Sequence, residues 1–222
     1  MGRKAKNTSP ARRDGNKALY PRVLVVCEGE KTERYYFAGL RNHLRLRSAN
    51  IEIVGEGATP TRIVKRAEKL HQEELDIGNP FDEIFCVFDK EEHADYDKAV
   101  RILEKKSSAR KSNTLWWAAV ASVPAFEYWL LLHYRYTTRP YQKTGNKSAG
   151  EMVTLDLKKH FKDYKKNDKN IFEKFKGRLE QAKKNADKSL TAAENTGTDN
   201  PSTRVHELVE CLQNIKDKRP LT

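Results

Sequence analysis

The sequence is poor in cysteine, in acids relative to bases, and in uncharged apolar runs. Its three cysteines, Cys27, Cys86 and Cys211, are too few and odd in number for a disulfide framework. Cys27 and Cys86 sit inside apolar runs that read as strands, where a thiol packs as a small hydrophobe. The longest apolar stretch, Leu115 to Leu132, is interrupted by Ser122, Pro124 and Glu127. It reads as a strand and a buried helix rather than a membrane span. The first residues, MGRKAKNTSPARRDGNK, lack the apolar segment of a secretory signal. Met1-Gly2 is followed by bases, with Lys6 where a myristoylation start has Ser or Thr. No Gly-Lys-Ser or Gly-Lys-Thr accompanies Gly55-Glu56-Gly57, which argues against nucleotide hydrolysis. Neither His93 nor His133 stands in a zinc spacing with a cysteine. The expectation is a cytoplasmic protein with no membrane partner.

Positive charge is what the chain has in excess. It carries 43 Lys and Arg against 31 Asp and Glu, a formal net charge of +12. Such a balance favours a polyanionic partner through counterion release, although many basic surfaces are only solvated. Residues 1–18 hold six bases and one acid, Asp14, without apolar periodicity, and read as a flexible basic arm. From Lys158 to Lys188 bases outnumber acids about twofold. That stretch is a nucleic-acid face or a solvated helical pair.

A length of 222 residues fits one α/β domain with a helical extension. Arg22 to Cys27 is a β-branched run suited to a parallel strand buried on both faces. A helix through Tyr36, Phe37 and Leu40 follows, with apolar spacing of three and four. Further strands are expected at 50–54, 83–88 and 115–123. Thr59-Pro60 reads as the cap and first position of a helix through Ile63 and Leu70. Tyr96 to Lys106 and Phe126 to Arg135 read as helices. Strand–helix alternation predicts βαβ units and a mainly parallel sheet flanked by helices, with its site at the carboxyl ends of the strands. Residues 136–150 are expected to form a mobile loop. Helices are expected at 151–165 and 170–189, and a last one opened by Asn200-Pro201-Ser202. The resulting division is an arm (1–18), an α/β core (19–135), and a loop plus basic helical extension packed on the core (136–222).

Glu28 follows the first strand and Asp89 ends the third, with Glu91 two residues on. Mg²⁺ takes oxygen ligands, often one or two carboxylates plus substrate phosphates, and these three acids are the candidate metal ligands. The competing reading is that acids at strand ends are turn formers and helix caps. Glu127 lies in an apolar run and is costly to bury unless paired or metal-bound. It is either a functional acid aimed at the same rim or a structural hydrogen-bonding group. Glu33 is favoured in a first helical turn or stands behind the ligands. Lys31 and Lys90 neighbour the acids as phosphate binders or as surface lysines. His93 follows the acidic turn and is placed behind the ligands. Trp116, Trp117 and Trp129 read as core.

Val25-Val26-Cys27-Glu28-Gly29-Glu30-Lys31-Thr32-Glu33 resembles the first motif of the Toprim domain, in the form seen in overcoming-lysogenization-defect nucleases. Val87-Phe88-Asp89-Lys90-Glu91 is similar to the second, usually Asp-x-Asp. With Gly55-Glu56-Gly57, Thr59-Pro60, Phe126 to His133 and Asn200 to Thr203, the pattern from about 22 to 212 resembles the RloB family, associated with phage defence and restriction loci. The resemblance implies a Toprim-like fold and Mg²⁺- or Mn²⁺-dependent phosphodiester cleavage. It implies Glu28 as metal ligand or general base and Asp89 as metal ligand, an RNA (tRNA among the candidates) or DNA substrate, and a companion ATPase, RloA-like. Glu91 departs from the second aspartate by one methylene. The rival expectation is a catalytically silent, nucleic-acid-binding subunit of an ATPase complex. Nucleotidyl transfer, as in primases, fits less well because the chain has no separate template-binding module.

Overall fold

Val23–Cys27 is sealed from solvent along its whole length, as a central parallel strand must be. The computed structural model describes residues 20–46, 51–55, 57–91, 93–108 and 115–218. The basic arm assigned to residues 1–18 lies outside them. Five strands form one sheet: β1 (Val23–Cys27), β2 (Ile51–Gly55), β3 (Glu83–Asp89), β4 (Trp116–Val123) and β5 (Ser202–Thr203), in the order β2-β1-β3-β4-β5. The first four are parallel, and β5 joins antiparallel at the edge through Ser122↔Thr203 and Val123↔Ser202. The fold is therefore α/β with a mostly parallel sheet, compatible with the Toprim-like architecture expected. Among the described residues no helix is long and apolar enough to cross a membrane.

Helices cover both faces. Helices α2 (Pro60–Asp76) and α3 (Tyr96–Ser108) close one face over Leu24, Val26, Ile84, Cys86 and Phe88. The other face is larger. There α1 (Thr32–His43) and α4 (Glu127–Leu132) meet α5 (Ala149–His160), α6 (Ile171–Phe175), α7 (Leu179–Thr196) and α8 (Val205–Gln213) in one apolar cluster built round Tyr36, Phe126, Trp129 and Phe172. Tyr36 makes edge-on contacts with Phe37, Phe126, Trp129 and Phe172. The C-terminal helices share this core with β1, β3 and β4. Of the tryptophans, Trp129 and Trp117 are buried and Trp116 packs against the core.

Several expected boundaries move, each for a local reason. The segment 202–203 is a strand, not the start of a helix, because Thr203 Oγ1 meets Ser122 Oγ at 2.9 Å in the β4–β5 pairing; α8 opens at Val205. The expected helix 170–189 is two helices divided by a 3-10 turn at Lys176–Arg178, around Gly177. Helix α5 starts early, at Ala149, because Ser148 and Glu151 form a capping box, and it stops at His160. Thr59 stands at the N-cap of α2, where its carbonyl accepts from the Arg62 and Ile63 N–H groups, but its side chain makes no cap bond to the helix. Its hydroxyl donates to Asp95, which also accepts from the Thr61 N–H. The expected mobile loop 136–150 ends in the first residues of α5, and its irregular part is anchored. Tyr141 is buried, exchanges backbone bonds with the Asn200 amide and donates its hydroxyl to Asp156.

The strand ends crowd at the rim where the site forms. A Cβ on Gly55, at the end of β2, would lie 2.7 Å from Glu30 Cα and 2.9 Å from the Gly29 carbonyl oxygen. Both obstacles are backbone. Gly55→Ala should therefore cost about 1–3 kcal/mol, as overpacking does, read as a lower midpoint in chemical denaturation. An unchanged midpoint would show that this approach is not a constraint.

Candidate metal centre

The parallel register brings Cys27 level with Val87 and Gly55, so Glu28 and Asp89 emerge at the same rim. Both line one open cleft of about 740 Å³. Glu30, Glu33, Glu91 and Glu127 line it as well, against Lys31, Arg62 and Lys166 as cations. Of the six residues expected to carry the chemistry, five are gathered there. Lys90 is not. Its ammonium turns to the other side of the strand end, pairs with Asp199 at 2.5 Å and lies over the Tyr96 ring.

Each carboxylate is fixed differently. Glu28 is held at both oxygens: the Asp89 N–H donates to Oε2 at 3.0 Å, and His93 Nε2 lies 2.7 Å from Oε1. His93, which also lines the cleft, thus orients the Glu28 carboxylate. Glu127 is 4% exposed, and its Oε1 accepts from the Tyr164 hydroxyl at 2.8 Å and pairs with Lys166 at 3.4 Å. Glu91 has a left-handed backbone, φ 24°, and its carboxylate accepts from the Ser148 hydroxyl at 2.9 Å. Glu33, in the first turn of α1, folds its carboxylate over Gly29, into the space a side chain there would fill.

The electrostatics follow from crowding. Burial raises the Asp89 pKa well above the carboxylate range, and Glu33, Glu127 and Glu28 add to the rise by repulsion. Glu33 is pushed up to about 7, first by burial, then by Glu127 and Glu28. Lys166 is driven the opposite way: Glu127 foremost, and also Glu91 and Asp89, hold its ammonium charged. The site gathers six acidic side chains in a partly desolvated place, which favours the protonated forms of Asp89 and Glu33 and the charged form of Lys166.

The donor set suits a hard cation, since every candidate ligand is a carboxylate oxygen. The side chains as they stand do not form a closed cage. Among the described residues no three Asp, Glu, His or Cys side chains meet as a group able to hold a metal ion. Mg²⁺ needs fewer, because water and phosphate complete its shell.

The family model described as RloB-like protein matches residues 23–212. The chain belongs to the RloB family. The matched span covers every cleft residue named above and reaches into α8. No curated protein matches the chain closely enough to count as a relative.

Sequence reading missed two residues of this RloB site, Tyr164 and Lys166. They lie 37 and 39 positions after Glu127, in the connection between α5 and α6. No motif marks them, and only the fold brings them to Glu127.

The raised acid pKa values set a pH dependence. Glu33 is protonated more readily folded, at about 7, than its ordinary 4.5. A group shifted this way penalises the fold above its folded pKa, and the penalty fades as pH falls toward the ordinary value. Without divalent ions, thermal stability should rise as pH drops from about 8 to about 5, and Glu33→Gln should flatten that rise. A variant that keeps the full slope would place its origin elsewhere.

Proposed function

We propose that this RloB protein is a Mg²⁺- or Mn²⁺-dependent nuclease that cuts phosphodiester bonds in RNA, tRNA among the candidates, or in DNA. In this reading it is the effector of an antiphage defence system that includes a companion ATPase. The observation that carries the proposal is that Glu28, Asp89, Glu91 and Glu127 all line one open cleft, in which burial first, and then neighbouring acids, raise the pKa values of Asp89 and Glu33. Charge crowded this way into low dielectric is costly unless a cation compensates it.

Glu28 and Asp89 would hold the ion, with Glu91 available once it leaves Ser148. A bound divalent ion polarises a phosphate and acidifies a water at neutral pH. The remaining roles belong to the chain. His93 and the Asp89 N–H fix the direction of Glu28. Lys166, kept charged by Glu127, offers an ammonium to a non-bridging phosphate oxygen. Lys31 is exposed on the same rim and serves as a second phosphate contact. Glu127, held by Tyr164, keeps Lys166 at the mouth.

One observation favours a second reading, a silent nucleic-acid-binding subunit. Glu28 and Glu91 both spend their carboxylates on protein hydrogen bonds, and no three candidate ligands meet. The two readings part in a cleavage assay on single-stranded and duplex RNA and DNA. The nuclease predicts Mn²⁺- or Mg²⁺-dependent products, none with EDTA, and none from Glu28→Gln or Asp89→Asn. His93→Ala, which removes an orienting partner of a ligand, should lower the rate about 10–100-fold. Binding unaltered by EDTA, with no product under any condition, is the signature of the silent subunit.

A further inference from the structure

The cleft that collects the acids is a poor place for a polyanion to land. Its walls carry six carboxylates against three cations. Beside it lies a second open groove of about 720 Å³, lined by Lys165, Lys169, Lys174, Asn167 and Asn170, with Asp163 and Asp168. The two share Asn167 as a common wall. The chain here is strongly basic: from Lys158 to Arg178 nine Lys and Arg stand against three acids.

The segment is held in place. Tyr164 is buried and bonded to Glu127, and the Thr32 hydroxyl donates to the Lys166 carbonyl. Ile171, Phe172 and Phe175 anchor the far side in the core. Within the groove Asp168 takes Lys174 and the Asn170 N–H. Lys165 and Lys169 are exposed and make no ion pair within 4.0 Å among the described residues, although Lys165 is near enough to Asp168 to lower its pKa. Two exposed ammonium groups on a fixed connection, next to amides and one and three residues from Lys166, suit successive phosphates of a strand.

We infer that the α5–α6 groove is the docking subsite for a phosphodiester strand, with Lys165 and Lys169 gripping phosphates next to the one that enters the acidic cleft. This rests on the nucleic-acid part of the proposed function and is independent of the cleavage part. Docking at the groove needs no divalent ion, because lysines supply the charge.

The test is binding of labelled 20-nucleotide single-stranded RNA, its DNA counterpart and a duplex, in EDTA, across a salt series. The full chain is compared with Lys165→Ala/Lys169→Ala and with Lys98→Ala/Arg101→Ala. The control removes the same charge from exposed positions on α3, on the opposite face of the sheet. The groove variant should bind about 10–100-fold more weakly at 0.1 M salt, with a log–log salt slope shallower by about 1.4–1.8, while the control stays near wild type. Comparing the three probes shows which strand form the groove prefers. Equal losses in both variants, no loss in the groove variant, or no binding by wild type each overturn the assignment. If the groove variant loses binding and wild type still makes no product with Mn²⁺, the subsite stands and the nuclease reading falls.

Discussion

The arrangement turns on carboxylates forced together at the end of a parallel sheet. Strands β1 and β3 lie side by side in register, so the residues that leave them cannot avoid each other. Glu28 and Asp89 are one hydrogen bond apart, and Glu33 and Glu127 close in from the first turns of α1 and α4. Water screens such charges poorly in a partly closed place. Burial and repulsion raise the pKa values of Asp89 and Glu33, Glu127 holds the Lys166 ammonium charged, and the N-terminal ends of helices add partial positive charge. The acids of the cleft still outnumber its lysines and arginine six to three, and the proposed cation site rests on that excess.

Charge is separated between the two halves of the chain. Residues before Leu132 supply the acids of the cleft, and the α5–α6 connection supplies the basic ground beside it. Tyr164 and Lys166 tie the two together at Glu127. The C-terminal helices are thus more than a cover for the aromatic core round Tyr36 and Trp129. They fix where positive charge stands relative to the acids.

The α/β core was readable because its strands are continuous apolar runs and its helices amphipathic. Glu28 and Asp89 were readable because each directly follows or ends such a run. Glu127 was suspect from its apolar neighbours, and it is buried and doubly partnered. Lys90 illustrates the limit. Beside Asp89 in sequence, it faces away because successive residues at a strand end point to opposite sides. β5 is invisible in the sequence because two residues carry no periodicity, and Asn200-Pro201-Ser202 reads as the opening of a helix. Tyr164 and Lys166 were invisible because their role depends on how α5 packs on α4, which no local pattern encodes.

Calorimetric titration of Mn²⁺ into the protein near pH 7, in buffers of different ionisation enthalpy, reaches the central claim directly. If a divalent ion binds where burial and repulsion favour the protonated forms of Asp89 and Glu33, its binding must release protons. The apparent heat must then vary with the buffer, and Asp89→Asn must abolish the binding. Absence of Mn²⁺ binding, or binding with no proton release and no dependence on Asp89, would contradict the account.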